Sequence, residues 1–230
     1  MQNYSKTHHQ LIRTALENFN HDFLAQHRII FGGGTRIALE LSEYRESIDI
    51  DFLCPDKQSY RAVRHEVTEY SLGNLVKNDF SYPREIRADR DAVRCFIEIN
   101  GTRIKLEFVS FADYQLTADP NAPFPVPALN KSSCYLTKLL ANADIFDILA
   151  MFSSWGEIPQ DAWEEADAHY GKSVVIKSLI KSCNQIAENK LKYQKIAIEE
   201  LDICPEFAES LLNITLPQFV DYINRLEASI

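Results

Sequence analysis

The sequence predicts an α+β fold: a mixed-sheet N-terminal domain over residues 1–118, a Pro-rich linker over 119–130 and a helical C-terminal domain over 131–230. Three observations carry this expectation. Apolar alternation and helical periodicity take turns up to about residue 110, the stretch "DPNAPFPVPALN" crowds Pro120, Pro123, Pro125 and Pro127 together, and no alternating run follows it. Proline suits neither a helix interior nor a central strand, so the junction reads as extended chain.

The elements follow in order. Leu11, Ile12, Ala15, Leu16, Phe19 and Phe23 recur at helical spacing and predict an amphipathic opening helix. "RIIF" is a short apolar strand that runs into Gly32, Gly33 and Gly34, three of only seven glycines in the chain. Thr35 then reads as the N-cap of a short helix carrying Ile37, Ala38 and Leu41. "SIDIDFL" alternates strictly and predicts a strand, and Tyr60, Val63, Val67 and Tyr70 mark a further helix. "VRCFIEI" and "TRIKLEFV" flank Asn100-Gly101, the pairing that most strongly signals a tight hairpin. Beyond the prolines, helices are expected near 132–154, 159–170, 172–190, 193–213 and 216–229.

Composition excludes several classes. A chain of 230 residues, 46% hydrophobic and 25% charged, can bury one large core or two modest ones and is neither disordered nor fibrous. The N-terminus carries no apolar signal region and no window reaches membrane-span length, so no membrane association is expected and the cytoplasm is the expected compartment. Five scattered cysteines without a CxxC pair argue for reduced, buried thiols and against a zinc site. The net charge of -9 is uneven: residues 1–110 hold 15 Lys+Arg and 16 Asp+Glu of the totals of 24 and 33, and eleven of the twelve arginines. A phosphate-rich partner would find its guanidinium contacts there.

The candidate chemistry lies in "FGGGTRIALELSEYRESIDIDF". In a strand, Ile48, Ile50 and Phe52 share one face while Asp49 and Asp51 share the other, with Cα atoms about 6.5 to 7 Å apart. Both carboxylates can then reach one divalent cation, and Mg²⁺ is the default because hard oxygens and substrate phosphates make its usual shell. A strand ending in glycines and opening a helix offers backbone N–H groups to an anion. Glu107 on the hairpin's second strand is the candidate third carboxylate, with Glu98 as its competitor. Asp89 and Asp91 repeat the DxD spacing, but their charged flanks place them in an exposed loop or edge.

"FGGGT" followed by "SIDIDF" and an apolar strand with one carboxylate resembles the polymerase-beta-like nucleotidyltransferase fold. "CYLTKLLANAD" and "DIFDILAM" look like the lysine and aspartate motifs of AbiEii/AbiGii-type nucleotidyltransferase toxins. The resemblance implies that Gly33, Gly34 and Thr35 hold the triphosphate of an NTP substrate. Asp49, Asp51 and Glu107 would ligate Mg²⁺, with Mn²⁺ as the alternative ion, Lys138 would neutralise the triphosphate, and Asp147 with Asp144 would form the late acidic motif. It also implies that the helical domain completes the active site, a place in toxin–antitoxin or phage-defence systems, a cognate antitoxin protein, and transfer of NMP to an RNA acceptor such as tRNA with release of pyrophosphate. The same residues leave open a small-molecule or protein acceptor, or an impaired member that acts by binding. Impairment is raised by spacing: on one unbroken helix Lys138 and Asp147 point to opposite faces, and they meet only if the helix breaks near Asn142 to Asp144.

Overall fold

The computed structural model describes residues 4–111, 113–140 and 145–228. The chain forms two compact units, one from the residues up to Glu40 with Ser47–Asn130, the other from Leu41–Glu46 with the chain from Lys131 onward.

The first unit contains α1 (Thr7–Asn18), α2 (His21–Gln26), β1 (Ile30–Gly32), α3 (Gly33–Glu40), β2 (Asp49–Cys54), α4 (Lys57–Glu66), β3 (Arg87–Ala88), β4 (Ala92–Ile99) and β5 (Thr102–Ser110). The strands join in one mixed sheet of order β1-β2-β5-β4-β3. The β2/β5 pair is parallel and the others are antiparallel. All four strands expected from the sequence are present; β3, two residues long, is too short to leave a periodic signal. The β4–β5 hairpin turns at Asn100 (φ 50°) and Gly101 (φ 78°), the left-handed pair that a tight two-residue turn requires.

Alternation sorts the sheet into two faces. Ile50, Phe52, Cys54, Val93, Cys95, Ile97, Ile104, Leu106 and Phe108 are buried together with Ile12, Ala15, Leu16 and Phe19. Phe52 and Phe108 stack at 5.1 Å between ring centroids, and Phe19 packs on Phe52 at 4.7 Å. Burial of these large apolar side chains is the main stabilising contribution here, about 1.5–3 kcal/mol for each. The opposite face carries Asp49, Asp51, Lys105, Glu107, Arg94 and Phe96, all partly or fully exposed.

The Pro-rich stretch is no free linker. Phe31 N–H donates to the Pro127 carbonyl at 2.8 Å, and Leu129 N–H donates to the Phe31 carbonyl at 2.9 Å. Proline lacks a donor but keeps its acceptor, so Pro127 can lie along β1 without an unsatisfied group. Fully buried Arg36 fastens the same stretch by donating Nε–H to the Leu129 carbonyl at 2.8 Å.

Among its described residues the second unit has helices and no strand: α5 (Lys131–Leu140), α6 (Ile145–Trp155), α7 (Gln160–Tyr170), α8 (Lys172–Glu188), α9 (Lys190–Lys195), α10 (Pro205–Ser210) and α11 (Leu216–Glu227), with Leu41–Glu46 added as turn. The single helix expected over 132–154 is two, α5 and α6. The one expected over 193–213 is interrupted before α10, where Asp202 adopts φ 51° and Pro205, which has no N–H to donate, starts the next helix. The core centres on Trp163, whose indole N–H donates to the Tyr222 hydroxyl at 2.9 Å, and on the Phe152, Phe219 and Tyr222 rings. Among the described residues no helix is long and apolar enough to cross a membrane. Cys54, Cys95, Cys134 and Cys183 are buried free thiols, and Cys204 is exposed.

Candidate active site

In the first unit the turn between β1 and α3 is built around one carboxylate. Gly33 has φ +70°, and a Cβ there would lie 2.2 Å from Asp51 Oδ2. Glycine is required twice over, by the left-handed backbone and by the Asp51 side chain pressed against it. Register agrees, because Gly32 pairs with Asp51 across the β1/β2 ladder. Gly34 follows as the second residue of α3 and is half-buried like Gly33.

Thr35 departs from its expected N-cap role, since α3 already begins at Gly33 and places Thr35 inside the first turn. Its side chain is buried, and its hydroxyl meets Ser47 Oγ at 2.8 Å and donates to the Asp49 carbonyl. Thr35 therefore ties the helix start to the beginning of β2, which fixes where Asp49 and Asp51 stand.

Across the β2/β5 ladder Asp49 faces Lys105 and Asp51 faces Glu107. Two strands with coincident register put Asp49, Asp51 and Glu107 on one face. Glu98 sits further along β4, opposite Arg103, so register separates it from the aspartates and favours Glu107. Both Glu107 oxygens are engaged: Lys105 Nζ approaches Oε2 at 2.5 Å and Arg94 Nε approaches Oε1 at 2.8 Å. Lys105 Nζ also stands 3.7 Å from Asp49 Oδ2. The hydrogen bond to Glu107 leads in raising the Lys105 pKa, with Asp49 and Asp51 adding to it, although partial burial opposes the rise. Among the described residues no three His, Cys, Asp or Glu side chains gather closely enough to hold a metal ion. Glu107 shares the face of Asp49 and Asp51 and is turned toward Lys105 and Arg94. Asp89 forms a turn, accepting the N–H groups of Asp91 and Ala92 and the Arg94 guanidinium.

In the second unit Lys138 and Asp147 meet: Nζ lies 2.7 Å from Oδ2, and the two side chains are 8% and 3% exposed. They reach each other because they stand on separate helices, α5 and α6. The spacing argument for opposite faces thus does not apply, and Asp144, named with Asp147 in the late acidic motif, lies outside the described residues. Sequence reasoning missed two partners. Arg45 grips Asp147 with both Nε (2.7 Å to Oδ1) and Nη2 (3.0 Å to Oδ2), and the Tyr44 hydroxyl donates to Oδ1. Burial pushes the Asp147 carboxyl up, yet Lys138 and Arg45 outweigh it and hold the pKa at about 2. The same burial, reinforced by Asp147, raises the Tyr44 phenol, which stays protonated as a donor. The only signal for this pair was their place in "SEYRES", just upstream of the DxD strand.

The family described as "Nucleotidyl transferase AbiEii toxin, Type IV TA system" matches residues 14–221. Two crystal structures of Helicobacter pylori proteins resemble the chain. One, described as a candidate nucleotidyltransferase, is 17% identical over 96% of each chain with a TM-score of 0.49. The other, JHP933, is 16% identical over 99% of this chain and 97% of that one, also with a TM-score of 0.49. No curated protein matches the chain.

Proposed function

Because the chain belongs to the AbiEii nucleotidyltransferase toxin family of type IV toxin–antitoxin systems, we propose that it transfers a nucleoside monophosphate from an NTP to an RNA acceptor and releases pyrophosphate. The observation that carries this reading is Gly33 packed on Asp51, which brings a close-approach phosphate turn and a carboxylate pair to one place. The half-exposed, hard-oxygen pair Asp49 and Asp51 fits Mg²⁺, or Mn²⁺, with substrate phosphate and water left to fill the shell. Such an ion would supply charge neutralisation at the triphosphate.

The chain's own residues do the rest. Gly33 and Gly34 let the backbone approach the triphosphate, and Thr35 holds the strand carrying the aspartates in register with that turn. Lys105, between Asp49 and Glu107, supplies a fixed positive charge beside the reacting phosphate. Glu107 acts in this reading as the acceptor that positions Lys105 and Arg94. Lys138 holds its ammonium against buried Asp147 and so supports the helical unit. We also propose a cognate antitoxin partner, in keeping with the toxin–antitoxin family, a cytoplasmic setting and a role in phage defence.

The test is label transfer from α-phosphate-labelled NTPs to total RNA. Label is expected in RNA, with tRNA as the first acceptor to resolve, and is lost with Asp49→Ala or Asp51→Ala. Label found only on protein or a small molecule would replace the RNA acceptor. Absence of any transfer, with no Mg·NTP binding by calorimetry, would leave a binding protein.

A further inference from the structure

The polar sheet face continues past Glu107 into a cavity of about 550 Å³ that includes Arg84, Arg87, Arg94, Phe96 and Lys105 in its walls. Four cations and one carboxylate, Glu85, line it on a chain whose net charge is -9; Arg94 and Lys105 are ion-paired with Glu107, and no such pair engages Arg84 or Arg87 among the ion pairs of the described residues. Phe96 is 37% exposed between buried Cys95 and Ile97, and the Arg84 guanidinium carbon lies 5.8 Å from its ring centroid. An exposed ring beside a guanidinium is the pairing on which unstacked bases sit, and flanking arginines hold the phosphates between them. Arg94 is held toward this wall by Glu107 at 2.8 Å and Asp89 at 2.7 Å.

Strand order gives the cavity a direction. The glycine turn leaves β1, on one flank of β2, whereas the cavity lies over β5, β4 and β3, on the other flank. In-line displacement sets the attacking and leaving oxygens on opposite sides of the phosphorus. Pyrophosphate held over the glycine turn therefore calls for a nucleophile arriving from the β5 side. Phe96 pairs with Lys105 and Lys105 with Asp49, so the ring stands two strands from the aspartates, about 10 Å, within reach of the end of a strand.

We propose that this cavity is the acceptor cradle: it binds the single-stranded end of a polynucleotide, with a base on Phe96 and Arg84 and phosphates on Arg87 and Arg84. The inference rests on the nucleotidyltransferase reading above for its direction, and its test does not use turnover. A fluorescein-labelled single-stranded oligoribonucleotide is titrated by anisotropy, without NTP, at several salt concentrations.

Wild type binds with a clear salt dependence. Phe96→Ala weakens binding by about tenfold or more, the range found for loss of one base stack. Arg84→Ala with Arg87→Ala weakens it and flattens the salt slope by about 0.7 per arginine. Arg61→Glu, an equal or larger charge change on α4 outside the cavity lining, leaves affinity at the wild-type value. Circular dichroism melts confirm that each variant is folded. The proposal is overturned if wild type does not bind the oligonucleotide, or if folded Phe96→Ala and Arg84→Ala/Arg87→Ala bind as wild type does. The two readings fail separately. Label transfer that depends on Asp51 with unaffected RNA binding in the cradle variants removes only the cradle. Cradle-dependent RNA binding with no transfer to any acceptor removes only the activity.

Discussion

At the scale of the residue, the Asp147 carboxylate shows how a buried charge is made tolerable. Desolvation alone pushes it toward the protonated form; with Lys138 and bidentate Arg45 against it, the carboxylate is favoured and its pKa falls from 3.8 to about 2. The folded state thus binds fewer protons than the unfolded chain between these values. Stability from this source is complete above the ordinary carboxylate pKa and is lost as pH falls through about 2, a contribution of roughly 2 kcal/mol. Asp147→Asn leaves buried Lys138 and half-buried Arg45 without their counter-charge, a change that costs about 3–5 kcal/mol. Urea unfolding followed by helical circular dichroism is expected to show that loss at pH 7, and a smaller gap between mutant and wild type at pH 3. Equal gaps at both pH values would show that Asp147 acts only as a hydrogen-bond acceptor. Lys138 and Asp147 were legible in the sequence because their motifs carry them. Tyr44 and Arg45 were not, since nothing local in "SEYRES" says that this segment packs with helices that begin more than eighty residues later.

At the scale of the element, two turns with left-handed glycines separate backbone strain from site geometry. Gly101 has φ +78° and a Cβ there would meet nothing within 4 Å, whereas at Gly33 the same atom would strike Asp51 Oδ2. Gly101→Ala is expected to cost about 1–2 kcal/mol of stability, the strain of a left-handed non-glycine residue, with label transfer unchanged. Gly33→Ala bears a similar strain and in addition displaces the Asp51 carboxylate; a shift of about 1 Å in a reacting constellation lowers rate on the order of 100-fold. Urea midpoints and transfer rates measured on both variants check this, and equal rates would detach Gly33 from the chemistry. Elements with a local signature were read correctly from sequence: the hairpin from Asn100-Gly101, β2 and β5 from alternation. Three of those that were not have plain physical reasons. The α5 to α6 division leaves no break in apolar periodicity. The edge strand β3 is two residues long. The Pro-rich stretch pairs with β1 through a carbonyl, which a rule about missing donors does not see.

At the scale of the molecule, the division into units does not follow chain order, because Leu41–Glu46 is excised from the N-terminal region and built into the helical unit. A sequence reading that looks for one boundary finds the composition change near residue 130 and cannot find this excursion. The six residues contribute specific contacts inside the helical unit. Arg45 and Tyr44 hold Asp147, Glu46 N–H donates to the Leu201 carbonyl at 3.1 Å, and the Tyr44 ring packs edge-on against Phe207 at 5.9 Å. A fragment of residues 131–230 therefore keeps its helical sequence but lacks one of the two cations on Asp147, as well as a buried aromatic ring. Loss of one partner of a buried carboxylate alone costs about as much as a small domain's margin of stability. The fragment is expected to retain far-ultraviolet helical signal while unfolding without a cooperative transition and exposing apolar surface to a dye such as ANS. Restoring residues 41–46 by a short linker to the N-terminus of the fragment, as Leu41–Glu46 joined ahead of Lys131, is expected to bring back a sigmoidal melt, and the same linker carrying Arg45→Ala is not. A fragment that melts cooperatively without these six residues would show that the helical unit is complete by itself and that the Arg45 to Asp147 pair serves the site rather than the fold.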